Sequence, residues 1–317
     1  MAIFIHPPLG FTFQGQRDNN EDSIFPVAGQ ATIHNRFFIV CDGVGGAQKG
    51  ELASRVAVES FSNYFVSHPA SQFSEEDLVA ALQATQTQFD ALLEAQHLLR
   101  GMATTFTFVG FHHQGATVAH IGDSRIYQLR NGYIIFRSED HSKVNYLLKS
   151  GVITPEQARN HPERNVIMRA IQGSHRETAL EINHLSDVQA GDYFFMCTDG
   201  VLENVTDEAL GQILVSEKNN VTKLQLLLNL CEGNTRDNYS GYLLQIADTN
   251  KTTDEEWVTS VQVVDSDRAE STNPIFKPGM SATFTDPSPV QTTSAEKGQG
   301  LWYLGIALLM LINFVGK

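Results

Sequence analysis

The chain has 317 residues, of which 42% are hydrophobic, and a formal net charge of −14 at pH 7. A chain of this length holds one large domain or two with a substantial core, and its negative charge argues against non-specific binding to nucleic acid, because phosphate backbones would be repelled. The cysteines, Cys41, Cys197 and Cys231, occur in apolar segments without CxxC spacing. This usage favours reduced, buried thiols in a cytoplasmic protein over disulfides or a zinc site.

The first charged segment, GQRDNNEDS at residues 15–23, contains Arg17, Glu21 and Asp22. It separates two strand-like stretches, so it is predicted to form a loop or a strand end. A charged loop is most often simply solvated, and this segment alone does not distinguish that interpretation from a functional one.

A buried strand is predicted at residues 37–41, where FFIVC is apolar and partly aromatic or β-branched. The strand is followed by Asp42-Gly43. A carboxylate at the end of a buried strand, beside a flexible glycine, is a suitable position for a hard cation or a phosphate. An ordinary Asp-Gly turn is the alternative.

Two helices are predicted next. Residues 48–65 carry one apolar stripe, as an amphipathic helix does. Ser74 is followed by three acidic residues, which is typical of a helix start. The second helix is expected to run to about Leu99 and to end at Gly101.

Strands are predicted to follow as a meander over residues 104–136, with a hairpin turn at Asn131-Gly132. Within the meander, Gly122-Asp123 places another aspartate beside a glycine at a strand end. A compact polar segment with short helices, at about residues 142–173, then interrupts the strand pattern. Segments of this kind often cover a functional site.

A second Asp-Gly pair, Asp199-Gly200, follows the apolar run YFFMC at residues 193–197. Because two strands from distant parts of the sequence end on the same pair, they could converge on one site. Two further helices are predicted after it. Asp237 then precedes the last predicted core strand, at residues 242–246.

The remaining sequence has a different character. Residues 248–300 are rich in Thr, Ser, Pro, Asp and Glu, which predicts a polar, mostly disordered linker. Residues 301–317 then form a largely apolar segment, with Trp302 and Tyr303 at one end. Fifteen apolar residues make a helix of about 22 Å, which is short of the ~30 Å hydrocarbon core, so a docking helix or an oligomer contact is one interpretation. The aromatic pair and the preceding linker favour the other, a C-terminal membrane anchor with the catalytic part in the cytoplasm.

The candidate site consists of the aspartates at strand ends and glycine-flanked turns, which are Asp22, Asp42, Asp123, Asp199 and Asp237. Unneutralised carboxylates in one place raise one another's pKa. A pair of Mg²⁺ or Mn²⁺ ions would resolve the repulsion, because both ions prefer oxygen ligands. Such a pair can lower the pKa of a bridging water and stabilise a phosphoryl displacement, and Arg17 could bind phosphate oxygens bidentately.

This ordered set of motifs resembles the metal-dependent protein phosphatase family (PPM, the type 2C serine/threonine phosphatases) in its compact bacterial form. The matching segments are RDNNED from Arg17, VCDGVGG from Val40, GMATT from Gly101, GDSR from Gly122, EDHS from Glu139, CTDGVLENV from Cys197 and DNYS from Asp237. The segment from Leu147 to Gly173 is similar to the family's flap. Each motif is short, but the complete series in family order is specific.

The resemblance implies an α+β fold in which two stacked antiparallel β-sheets are flanked by helices, an αββα sandwich. Residues 1–247 would form the catalytic domain, with the flap at about residues 142–173. The active site would lie at one end of the sandwich.

The resemblance also assigns roles residue by residue. Asp42 would bridge two Mn²⁺ or Mg²⁺ ions and Gly43 would add its carbonyl, while Asp199 and Asp237 would bind the other ion. Asp123, with Asp199, matches the position that takes a third, more weakly bound ion. Glu21 and Asp22 would act mainly through metal-bound water, and Arg17 would bind the substrate phosphate.

One departure from the family concerns the general acid. Some members, chiefly eukaryotic, carry a histidine two residues after the bridging aspartate, and this chain has Val44 there. A metal-bound water is the preferred proton source for the leaving oxygen. His161 in the flap is the alternative, although a structural role for it is favoured.

The implied activity is hydrolysis of phosphoserine and phosphothreonine by direct attack of a metal-activated water, without a phosphoenzyme. The implied partners are phosphoprotein substrates, among them a serine/threonine kinase and its targets. The alternative from a different class is a membrane-tethered module that binds phosphoproteins without hydrolysing them.

Overall fold

The structure, a computed structural model, describes residues 2–44, 47–69, 72–95, 102–159, 161–175 and 178–250. Within these residues the chain forms two antiparallel β-sheets and seven helices. The predicted linker, 248–300, lies almost wholly outside the described residues, and the predicted anchor, 301–317, lies wholly outside them. In the described ranges, no helix is both long enough and apolar enough to cross a bilayer.

The first sheet consists of β1 (Ala2–Ile5), β2 (Leu9–Phe13), β8 (Arg125–Arg130), β9 (Tyr133–Arg137), β11 (Tyr193–Cys197) and β12 (Tyr239–Asn250). Its order is β1-β12-β11-β8-β9, with β2 also paired to β12. The β8–β9 hairpin turns at Asn131 and Gly132, which both have positive φ. This backbone confirms the turn that the Asn-Gly pair predicted.

The second sheet consists of β3 (Asp22–Phe25), β4 (Phe37–Val44), β5 (Ala103–Thr104), β6 (Phe106–His112), β7 (Gly115–Ile121) and β10 (Glu181–Leu185). Its order is β10-β7-β6-β4-β3, with β5 paired to the end of β4. Strand β10 was not predicted from the sequence. It is a half-buried edge strand held by five backbone pairs to β7.

The helices are α1 (Ala47–Ser67), α2 (Glu75–Ala95), α3 (Lys143–Lys149), α4 (Pro155–Arg159), α5 (Asp199–Leu202), α6 (Asp207–Val215) and α7 (Asn220–Cys231). Side chains of α1 and α2 form one core with the second sheet, and those of α6 and α7 form another core with the first sheet. The layers are therefore helix, sheet, sheet, helix, as the predicted αββα sandwich requires.

Alternation along the two Asp-Gly strands shows why their sequences are continuously apolar. Phe38 and Val40 of β4 face the space between the sheets, whereas Ile39 faces α1 and α2. Phe194 and Phe195 of β11 alternate in the same way between the central core and the α6/α7 layer. Both strands are thus buried on both faces, as predicted.

The sequence-based boundary of the catalytic domain at residue 247 is too short. Strand β12 continues to Asn250, because Ala2, Ile3 and Phe4 of β1 pair with Asn250, Thr249 and Asp248. Backbone pairing extends the sheet here regardless of the polar side chains. The predicted end of α2 near Leu99 falls on residues 96–101, which lie outside the described residues.

Candidate metal centre

Asp22 and Asp42 meet across the antiparallel pair formed by β3 and β4, where they are directly opposed. Asp42 was predicted to follow its strand on an Asp-Gly turn. Instead β4 continues through Gly43 to Val44, because these two residues pair with Thr104 and Ala103 of β5. The Asp42 side chain is consequently fixed to a strand and not to a flexible loop.

The backbone of Asp42 is held on both sides. Its N–H donates to Thr105 Oγ1 (2.9 Å), and its carbonyl accepts from the N–H of Thr105 (2.8 Å) and from Thr104 Oγ1 (2.8 Å). The Thr105 hydroxyl also hydrogen-bonds to Ser124 Oγ at 2.7 Å. One threonine thus connects the Asp42 strand to the turn that carries Asp123.

Gly43 lies where no side chain fits. A Cβ atom at this position would lie 2.0 Å from the carbonyl oxygen of Gly50 in α1 and 2.8 Å from that of Glu21. The N–H of Gly43 donates to this same Glu21 carbonyl at 3.1 Å. The close approach of three backbone segments therefore requires glycine beside Asp42.

Asp199 begins α5 directly after β11, and Asp237 precedes β12. Gly200 brings the helix against the strand, since a Cβ there would lie 2.0 Å from the carbonyl oxygen of Asn238. The two acids consequently approach each other at the end of the first sheet, where the charge of Asp237 helps to raise the pKa of Asp199.

A hydroxyl of the first sheet connects to the second sheet at this point. Thr198 Oγ1 donates to Asp22 Oδ2 at 2.9 Å and accepts the N–H of Ser240 at 3.0 Å. Asn238 Oδ1 accepts the N–H of Glu21, and its Nδ2 donates to the carbonyls of Gln14 and Asn19. Sequence analysis assigned no role to Thr198, Asn238 or Ser240, although they lie inside the quoted CTDG and DNYS motifs.

Burial makes the carboxyl groups difficult to ionise without a cation. Burial and neighbouring aspartates raise the pKa of Asp22 to about 8 and that of Asp199 to about 6. The same causes, burial first, raise the pKa of Asp42 and of Asp123 well above the ordinary carboxyl range. Such shifts are those of acids that share one desolvated space.

Several of these oxygens lack the partner that a buried polar atom requires. Oδ1 of Asp22, of Asp123 and of Asp199 is buried without a hydrogen bond to any described residue. Unpartnered carboxylate oxygens in a shared, buried space match the donor set that Mg²⁺ and Mn²⁺ prefer. The residues therefore fit a multi-cation centre.

Arg17 lies at the rim of this centre. Its guanidinium donates to Asp237 Oδ2 at 2.6 Å, and its side chain remains 60% exposed. The hydrogen bond and the charge of Asp237 raise the pKa of Arg17. Glu21, next to Asp22, is half-buried, and burial raises the pKa of its carboxyl group. The structure thus brings all the predicted site residues to one end of the sandwich.

A cleft of about 680 Å³ extends from Asp123 and Asp199 between the flap and the segment after α5. We call it the flap cleft. Flap residues from Ser142 to Asn165 form one wall, which agrees with the predicted covering role of this segment. His161 does not line the cleft, and its Nδ1 accepts the N–H of Glu163 at 3.1 Å. This contact supports the structural role over the acid role.

A separate cluster of potential ligands, His120, His141 and Glu181, lies behind the Asp123 turn. The two imidazole rings are stacked at 4.8 Å with an interplanar angle of 12°. A ring nitrogen coordinates in its own ring plane, so two parallel, stacked rings do not direct lone pairs at one ion. The N–H of Gly122 also donates to His141 Nδ1 at 3.1 Å. This cluster holds the turn and is not a metal site.

Comparison with known proteins assigns the family. The family model described as protein phosphatase 2C matches residues 14–231, which is most of the chain. The chain belongs to this family. The matched residues include Asp22, Asp42, Asp123 and Asp199, whereas strands β1, β2 and β12 and the residue Asp237 lie outside the match.

Two curated relatives illustrate the extent of the similarity. The serine/threonine protein phosphatase PstP of Mycobacterium tuberculosis is 35% identical over 198 residues, which are 62% of this chain and 36% of that protein. A putative protein phosphatase 2C-type from Streptococcus pyogenes is 32% identical over 218 residues, which are 68% of this chain and 86% of the relative. The match thus spans only about a third of PstP.

Solved structures show the same fold. The crystal structure of Mycobacterium tuberculosis PstP/Ppp has a TM-score of 0.67 at 30% identity and covers 77% of this chain and all of that one. The catalytic domain of PstP in complex with two manganese ions has a TM-score of 0.64 at 30% identity, with 78% of this chain and 100% of that chain covered.

Proposed function

We propose that this chain is a metal-dependent phosphoprotein phosphatase that hydrolyses phosphoserine and phosphothreonine. The observation that carries the proposal is the group of buried, unpartnered oxygens of Asp22, Asp123 and Asp199 around Asp42. Such a centre is suited to divalent cations and, once neutralised, to phosphate. Membership of the protein phosphatase 2C family and the two manganese ions in the PstP catalytic domain support the same function.

The cofactors are two Mn²⁺ or Mg²⁺ ions, with a third held more weakly. Asp42 and the Gly43 carbonyl would hold this pair together with Asp199 and Asp237. Asp123 would hold the third ion with Asp199. Glu21 and Asp22 would act mainly through intervening water. The extensive support of the Asp42 backbone is consistent with its central position.

When bound, the two ions supply a water of lowered pKa and neutralise charge on the phosphoryl group. Arg17 binds and orients the phosphate oxygens, because its exposed guanidinium lies at the rim of the centre. The reaction is a direct displacement without a phosphoenzyme. Cys41 and Cys197, the thiols nearest in sequence to the site, are fully buried, and burial raises the pKa of both, so neither offers a thiolate.

No imidazole of the described residues lines the flap cleft, and the aliphatic side chain of Val44 has no ionisable proton to donate. Protonation of the leaving serine or threonine oxygen is therefore assigned to water and not to a side chain. The hydrogen bond that His161 Nδ1 accepts from the N–H of Glu163 supports a structural role for this residue.

We further propose that the catalytic domain is cytoplasmic and that residues 301–317 attach it to the membrane. The support is the sequence alone, an apolar segment with Trp302 and Tyr303 that follows a long polar linker. A phosphatase tethered in this way would counteract a serine/threonine kinase and act on that kinase and its targets.

The test is hydrolysis of p-nitrophenyl phosphate and of a phosphothreonine peptide by the full chain with Mn²⁺. We expect turnover of both substrates and its loss in excess chelator. Turnover no higher than that of the chelated protein would refute the proposal. Binding of the phosphopeptide without turnover would instead identify the alternative, a phosphoprotein-binding module.

A further inference from the structure

Among the arginines whose side chains the structure describes, two differ from the rest. Each remaining arginine side chain there has an ion-pair or hydrogen-bond partner, as the contacts of Arg17, Arg36, Arg55, Arg125, Arg130, Arg137 and Arg169 show. The guanidinium groups of Arg164 and Arg236 contact no acid or hydrogen-bond acceptor of the described residues. In a chain with a net charge of −14, unpaired arginines are unexpected.

Both of these arginines line the flap cleft, and they come from different segments of the chain. Arg164 belongs to the flap, and Arg236 belongs to the segment between α7 and β12. A third arginine of the cleft, Arg137, is already neutralised by Asp207, with Nη1 and Oδ2 2.6 Å apart. A fourth, Arg125, is paired with Asp140, so the cleft contains two available positive charges and two that are already neutralised.

The backbone at Arg236 is fixed close to the metal centre. Its N–H donates to Glu203 Oε2 at 2.8 Å, and its carbonyl accepts from the N–H of Gln16 at 3.2 Å. The next residue is Asp237, the partner of Arg17. The exposed Arg236 side chain therefore starts one residue from the centre and extends into the cleft.

The acids of the cleft do not fully neutralise this pair. Asp123 and Asp199 belong to the metal centre, and Asp140 forms a bidentate pair with Arg125 at 2.7 Å. Glu203 accepts the backbone N–H of Arg236 and keeps its negative charge, which offsets one of the two arginine charges. With cations bound at the carboxylate centre, the remaining cleft therefore carries one excess positive charge.

We propose that the flap cleft is a binding site for an anionic side chain of the substrate, which lies next to the phosphoresidue that is hydrolysed. Its ligand chemistry is a carboxylate or a second phosphoryl group, bound between Arg164 and Arg236. This proposal rests on the proposed phosphatase function and narrows its substrates to acidic or multiply phosphorylated segments. A guanidinium group can bind a carboxylate or a phosphoryl group through two parallel hydrogen bonds.

The test compares phosphothreonine peptides that share one sequence and differ at single flanking positions. The variable residue is alanine, glutamate or a non-hydrolysable phosphoserine analogue, placed on either side of the phosphothreonine. The full chain with Mn²⁺ is assayed for kcat/KM on each peptide and on p-nitrophenyl phosphate. We expect the anionic peptides at one flank to exceed the alanine peptide by about tenfold, a factor typical of one charge-assisted contact.

Variants identify the residues responsible. Arg236→Gln and Arg164→Gln should each reduce the preference, and the double variant should abolish it while hydrolysis of p-nitrophenyl phosphate and of the alanine peptide is retained. Arg137→Gln is the matched control in the same cleft and should keep the preference. Arg236→Lys should retain part of it, because charge remains but the planar fork is lost.

The outcomes separate the two proposals. Absence of turnover on p-nitrophenyl phosphate would count against the phosphatase function itself. Turnover without any flank preference, or a preference that persists in the double variant, would overturn only the cleft proposal. A response to the phosphoryl analogue but not to glutamate would assign the site to multiply phosphorylated segments, and the reverse would assign it to acidic ones. Both arginines are exposed, so these substitutions leave the fold intact.

Discussion

Asp22 and Asp42 are directly opposed residues of neighbouring antiparallel strands. Side chains in such a pair lie on the same face with Cβ atoms about 4.5–5.5 Å apart. Two motifs that are separate in the sequence, RDNNED and VCDGVGG, thereby become one site. Because both carboxyl groups are buried, their mutual repulsion is poorly screened, and cations provide the neutralisation.

Replacement of the central carboxylate should eliminate activity without unfolding the protein. In Asp42→Asn we expect turnover to fall by at least about 100-fold, because the carboxylate proposed to bridge the two cations is lost. The metal-free variant should melt at a higher temperature than the metal-free parent, since a buried charge has been removed. Steady-state kinetics and thermal melts in chelator measure both effects. Asp18→Asn, an exposed change in the neighbouring loop, is the control and should alter neither.

As the pH rises, the buried carboxyl groups should destabilise the metal-free protein, and the stabilisation by Mn²⁺ should increase. The pKa of Asp22 is raised to about 8 and that of Asp199 to about 6, so folding of the metal-free protein takes up protons. The contribution of these two carboxyl groups to stability should therefore be fully present below the unfolded pKa of about 4 and should be lost as the pH rises to about 8. Mn²⁺ should raise the melting temperature more at about pH 8 than at about pH 5.5. An equal Mn²⁺ effect at both values would contradict the assigned burial.

Loss of the rim arginine should weaken substrate binding more than catalysis. For Arg17→Ala we expect KM for phosphate esters to rise by about tenfold with a smaller change in kcat, because a charge-assisted contact to phosphate is removed. The side chain is 60% exposed, so the melting temperature should be unchanged. Arg55→Ala serves as the control. A kcat effect larger than the KM effect would assign Arg17 to the metal centre through Asp237.

The core between the sheets should be sensitive to truncation. Phe38 is fully buried and contacts the Tyr242 ring, with centroids 5.0 Å apart. Phe38→Ala should reduce the free energy of unfolding by about 3–5 kcal/mol, as large-to-small changes in close-packed cores do. Denaturant unfolding measures the loss. Phe4→Ala is the matched control, since Phe4 is 49% exposed and should have a much smaller effect.

The C-terminal segment should determine where the protein is recovered. We expect the full chain in the membrane fraction and a chain ending at Gly300 in the soluble fraction, because the removed residues are apolar. Fractionation with immunodetection measures the distribution. Both proteins should hydrolyse p-nitrophenyl phosphate equally, which provides the control for folding. A full-length protein that is monodisperse without detergent would refute the anchor.

The local sequence was sufficient to predict the strands and helix starts that depend on residues close together in the chain. The buried strands at Phe37 and Tyr193 follow from continuous apolar runs, and the hydroxyls of Ser74 and Thr206 cap the starts of α2 and α6 by accepting N–H groups three residues ahead. These features depend on residues that are close in sequence, so composition and spacing reveal them. The αββα fold and the roles of the acids were instead implied by the resemblance of the motif series to a known family.

Tertiary structure decided the features that depend on distant pairing. Strand β10 and the polar end of β12 are stabilised by backbone hydrogen bonds to other strands, which side-chain patterns do not encode. The contact of Arg17 with Asp237 joins residues 220 positions apart. Which arginines of the flap cleft are neutralised is likewise set by packing, because an ion pair depends on the positions of both partners. The sequence therefore predicted which acids form the candidate metal centre, and only the fold assigned their neighbours and the unpaired charges of the cleft.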